Sequence, residues 1–176
     1  GFMFGPLLDH FEQEITTHLL AEHQYVLVSE EKTENKEAES YDVTVLKTQE
    51  GRYKSEEVMV YGVQENSAYI KSSIADDEVL ISNAYANKQH IKKGDTITLQ
   101  EEYGEKTYSF TVTGIYTYPA ALSVFMNCDA FEKTFEKGSY YPGYFSNEEL
   151  TDLTQKNIAM TISKEDLTKT SRQLRL

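Results

Sequence analysis

Phe4, Leu8, Phe11, Ile15 and Leu19 recur at helical spacing, with Leu7 and Leu20 widening the stripe. Asp9, Gln13, Glu14 and Thr17 take the opposite face, and Pro6 stands at a suitable first helical position. The pattern predicts an amphipathic helix of about four turns. The period then shortens. Residues 25–29 (YVLVS), 41–47 and 57–63 predict strands, and 68–70 predicts a short extended piece. Residues 30–40 are charged, apolar-poor and without glycine, which predicts a mobile loop.

The stretch 78–127 carries the densest pattern. Val79, Leu80 and Ile81 form a short apolar strand that runs into Ser82, a good N-cap, and a brief helix over 83–90. Lys92-Lys93-Gly94-Asp95 ends that helix, with Gly94 suited to its left-handed C-terminal position. Strands at 96–100 and 107–116 form a hairpin around Gly104, and 122–126 is a third apolar run. Asn127 then caps a helix carrying Ala130, Phe131, Thr134 and Phe135. Residues 138–145 (GSYYPGYF) read as an aromatic loop. Ser146-Asn147-Glu148-Glu149 fits a capping box, predicting a helix to about Leu153. Residues 158–162 predict a strand, and Ser163-Lys164-Glu165-Asp166 starts a final helix. This order supports a mixed α+β fold bracketed by two outer helices.

Charge narrows the function. The formal net charge of -12 argues against nucleic acid, which needs clustered Lys and Arg, and disfavours lying flat on an anionic membrane. The longest mainly apolar runs, such as 119–126, are too short to span a bilayer, and no signal peptide is visible. The chain opens on Gly-Phe-Met-Phe and stops within a predicted helix at Leu176, ends that read as cut from a longer protein.

Candidate chemistry is sparse. His10, Glu14 and His18 share one helical face but lack the HExxH spacing and a further ligand, so a solvated polar face is the better reading. Asp76-Asp77-Glu78 and Glu101-Glu102 are adjacent acids, without the separation across a cleft that glycosidic chemistry needs. Cys128, the single cysteine, stands at a predicted helix start that would favour a thiolate. No motif brings a histidine to it, so it reads as a packing residue. Phosphate loops and a G-x-S-x-G elbow are absent from the sequence. No catalytic, cofactor or metal residue is therefore assigned, and the chain reads as a non-enzyme. Tyr140, Tyr141, Tyr144 and Phe145 are candidate partner contacts, with packing against a sheet as the stronger alternative.

Gly94-Asp95-Thr96-Ile97-Thr98-Leu99, then Val112-Thr113-Gly114-Ile115, then 123–126 before Asn127, resemble the extracytoplasmic domain of FtsX/MacB-like ABC transporter permeases. The resemblance covers roughly residues 58–174; earlier residues match only in strand–loop–strand order. It implies a single extracellular domain over 1–176, inserted between two membrane spans, with the outer helices as stalks. Residues 1–50 and 146–176 would form a membrane-proximal α/β part, and 51–145 a distal β-rich part. It also implies localisation on the extracellular side of the cell membrane and a cytosolic ABC ATPase as partner through the rest of the permease. A peptide, lipid or cell-wall protein ligand would complete the picture, with no catalysis in this domain. Gly94 and Gly114 would be architectural. Missing disulfides and Lys/Glu-rich composition point to a Gram-positive source. A free-standing ligand-binding or adhesive surface module is the alternative, ahead of a hydrolase using acidic residues.

Overall fold

The computed structural model describes residues 19–163. In chain order they form β1 (His23–Leu27), β2 (Glu39–Thr48), β3 (Glu57–Val63), β4 (Leu80–Ser82) and α1 (Asn83–Gln89). β5 (Thr96–Glu101), β6 (Thr107–Thr111), β7 (Gly114–Tyr116), β8 (Ser123–Asn127) and α2 (Cys128–Thr134) follow. β9 (Tyr141–Ser146) and β10 (Ile158–Ser163) complete the order, with a 3-10 turn at Gln155–Asn157 between them. All ten strands join one sheet in the order β10-β1-β9-β2-β3-β8-β4-β7, and β5 branches from β2 to carry β6. The class is α+β, as the sequence predicts. β3 pairs β8 and β4 pairs β7 in parallel; the other pairs are antiparallel.

Period-two alternation builds a large core on each face of the sheet, and Tyr25, Leu27, Leu150 and Leu153 form a third, smaller cluster at β1. Along β3, Met59, Tyr61 and Val63 enter the first core while Val58 and Val60 enter the second. Phe125 of β8 stacks on Tyr61 in the first core, with centroids 5.3 Å apart and planes at 9°. Tyr41 of β2 stacks on Phe145 of β9 at 4.1 Å beside them. Loop residues Tyr69, Ile70, Ile74 and Tyr118 cover that face. Tyr85 of α1 and Phe131 of α2 cover the other, alongside Phe135 just past α2.

Both expected N-caps are made. Ser82 Oγ accepts from the Tyr85 backbone N–H at 3.3 Å, and Asn127 Oδ1 from that of Ala130 at 2.7 Å. Asn127 also donates through Nδ2 to Ile74 O (3.1 Å) and Asp76 Oδ1 (2.7 Å), fastening the covering loop to α2. Gly114 faces Leu80 across β4–β7, where a Cβ would come within 2.8 Å of Leu80 Cδ2. Close approach is what glycine permits there.

Several local expectations are corrected. The left-handed residue ending α1 is His90 (φ 55°), whose N–H bonds to Ala86 O; Gly94, also at positive φ (97°), lies in the following turn. The expected long strand at 107–116 breaks after Thr111, because Val112 N–H turns to Asp95 O and Thr113 N–H to Val79 O. Residues 68–70 form a bend in which Ser67 Oγ accepts from the N–H groups of Tyr69 and Ile70. The expected helix after Ser146 does not form. Ser146 ends β9 and its Oγ binds Glu148 N–H and O, while Leu150 N–H donates to Tyr25 Oη at 2.9 Å. The aromatic stretch read as a loop is largely strand β9, hydrogen-bonded between β1 and β2. The predicted stalk helices, and His10, Glu14 and His18 with them, lie outside the described residues.

Candidate functional site

Alternation along β2 sends Tyr41 and Val43 into the first core and turns Asp42 toward the face bearing α2. There, residues from six segments enclose a groove of about 730 Å³. Asp42 of β2 and Pro142 of β9 are paired across the strands, and the Tyr144 side chain lies on the same side as Asp42. Cys128, Asp129 and Glu132 of α2 form one bank, with Glu65 after β3. Glu30, Glu31 and Lys32, just beyond β1, form the other.

The electrostatics are one-sided. Among the described residues, Glu30, Glu31, Asp42, Glu65, Asp129 and Glu132 line the groove together with a single cation, Lys32. Burial, then Glu132 and Glu30, push the Asp42 carboxyl up to about 6. Burial, then Asp129, Glu132 and Asp42, also push the Cys128 thiol up, so this environment opposes the thiolate that a helix start would favour. Such a groove attracts cationic groups, and Asp42 gives it a proton-dependent charge.

The loop bank is held in place rather than mobile. Glu31 carboxylate oxygens accept from Thr154 N–H and Oγ1 and from Asn157 Nδ2 at 2.8–3.0 Å. Asp152 accepts from Thr33 Oγ1 at 2.7 Å and Glu34 N–H at 2.8 Å. Tyr144 Oη donates to Glu31 O at 2.6 Å. These bonds draw both carboxyls below the ordinary range, led by Thr154 N–H for Glu31 and Glu34 N–H for Asp152.

The four aromatic candidates are not brought together. Phe145 is fully buried in the first core. Tyr141, half-buried, packs against the same core, and Tyr140 meets Phe131 edge-on at 5.0 Å. Tyr144 alone of the four lines the groove. The acid pairs are also elsewhere. Asp76 serves Asn127, Glu78 Oε1 accepts from Ala75 N–H at 2.9 Å, and Glu101 and Glu102 stand at the β5–β6 turn. Among the described residues, no three His, Cys, Asp or Glu side chains are grouped to hold a metal ion. Sequence reasoning missed Asp42. Its signal was a charged residue alternating with Tyr41 and Val43, so that it shares a face with Thr44 and Leu46.

No helix among the described residues is long and apolar enough to cross a membrane. No protein-family model matches the chain, and no curated protein matches it in sequence. Among solved structures, the periplasmic region of MacB from Actinobacillus actinomycetemcomitans is similar at a TM-score of 0.43 and 9% identity, covering 89% of this chain and 93% of that one.

Proposed function

We propose that this chain is an extracytoplasmic domain of an FtsX/MacB-like ABC transporter permease, non-enzymatic itself and inserted between two membrane spans. The observation that carries the reading is the β1–β10 pair. His23 opens β1 directly opposite Ser163, which closes β10, so the sheet is entered and left at one corner. Neighbouring ends are what insertion of a domain between two consecutive segments requires. The motifs at 94–99 and 112–115 then serve as architecture. Gly94 shapes the turn before β5, and Gly114 lets β7 approach Leu80.

In this reading the domain stands on the extracellular side of the cell membrane and moves with the permease, which a cytosolic ATPase drives. A peptide, lipid or cell-wall protein is its ligand. The test is made on the intact protein in its own cells. Single cysteines replacing the exposed Asn66 and Asp77, with Cys128 replaced by serine, should react with a membrane-impermeant maleimide. The protein should also stay in the membrane fraction after a high-salt wash. Recovery in the soluble fraction, or labelling only after lysis, defeats the reading. A free-standing ligand-binding or adhesive surface module is the second reading, favoured by the acidic groove, which needs no membrane span to act.

A further inference from the structure

The groove between β2, β9 and α2 combines a rim of carboxylates with a wall of Leu27, Pro142 and Tyr144. Its volume, about 730 Å³, holds several side chains rather than a lone ion. Lys32, the single cation among the described lining residues, does not offset that rim. The ion pair among the described residues, Lys88–Glu56, lies outside the groove. The carboxylates are also too dispersed to close around a metal ion. Phosphate-bearing ligands are repelled by the same charge. What fits spaced carboxylates above an apolar wall is a ligand with spaced cationic heads on apolar stems, which describes Lys and Arg side chains.

We propose that this groove docks a basic peptide segment, with Lys or Arg heads on the carboxylates of Asp42, Glu65 and Glu132 and their stems along Tyr144 and Pro142. The inference goes beyond the permease reading and does not depend on it. Loss of binding leaves the membrane placement standing, and a soluble full-length protein leaves the groove standing.

Calorimetric titration of the 176-residue chain with pentalysine and with pentaglutamate tests it. Pentalysine should bind saturably and pentaglutamate should not. Asp42→Asn combined with Glu132→Gln should weaken pentalysine at least about fivefold, because charges that meet the ligand directly act far more strongly than screened ones. Asp77→Asn combined with Glu105→Gln removes the same charge outside the groove and should change affinity less than about twofold. Should the first variant melt early, Glu30→Gln with Glu65→Gln, both on exposed rim residues, replaces it. Absence of saturable binding, or equal weakening by the groove and remote variants, overturns the proposal.

Discussion

The ring of Phe131 lies against the backbone of Gly62, so close that a Cβ at position 62 would sit 2.6 Å from Phe131 Cγ. Phe131 is fully buried in the second core, and its neighbours Phe135 and Tyr140 leave it little room to retreat. Gly62→Ala should destabilise the fold by about 1–3 kcal/mol through overpacking. Urea unfolding monitored by circular dichroism measures this, and an unchanged midpoint would show that α2 gives way freely.

Asp42 makes stability depend on pH. Its carboxyl has an ordinary value of 3.8 and is pushed up to about 6 in the fold, chiefly by burial. The native state therefore binds the proton more tightly than the unfolded chain. The stabilisation is complete below about pH 4 and is lost as pH rises through about 6. Asp42→Asn should remove that slope and raise stability at pH 7 by about 1 kcal/mol, discounted because the side chain is partly solvated. Melting temperatures of both proteins between pH 4 and 8 check the sign.

Asn127 does two jobs at one position, capping α2 and holding the loop through Ile74 and Asp76. Asn127→Ala should lower stability by about 2–3 kcal/mol, since it removes a cap and leaves Ile74 O without this donor. Asn127→Ser restores the cap alone and should recover part of the loss. Equal losses in the two variants would mean that the cap contributes nothing.

The 30–38 segment depends on carboxylates far along the chain. Asp152→Ala should speed amide exchange at Glu34 by at least about tenfold while leaving β3 amides unchanged. Acidification should lower the protection of Glu34 in the same way, once the slower intrinsic exchange at low pH is divided out. Glu31 and Asp152 have depressed values, so their contribution is present above the ordinary carboxylate range and is lost as pH falls through the lowered one. Exchange at Glu34 that is insensitive to Asp152→Ala contradicts this account.

β3 was legible because, after Glu57, its residues 58–63 lack any charged side chain, as a strand buried on both faces must. The caps at Ser82 and Asn127 were legible because each is settled within three residues. β9 was not. Pro142 and Gly143 are turn signals, and here they stand inside a strand flanked on both sides, where tertiary pairing overrides local preference. The capping box at Ser146 failed for a similar reason. The first bond of such a helix would run from Leu150 N–H to Ser146 O, and Tyr25, from the opposite end of the sequence, takes that N–H. The groove was hidden most deeply. Asp42, Glu132 and Glu30 belong to three elements, and no local pattern connects them.

The His23–Ser163 pair also sets how the domain responds to force. Both strand ends lie at one corner, so pulling them apart loads the β1–β10 hydrogen bonds one after another, as in opening a zip. Each bond resists alone, and the edge peels at low force. A pull that separates the two ends therefore meets the weaker, unzipping direction of this pair rather than its shear direction.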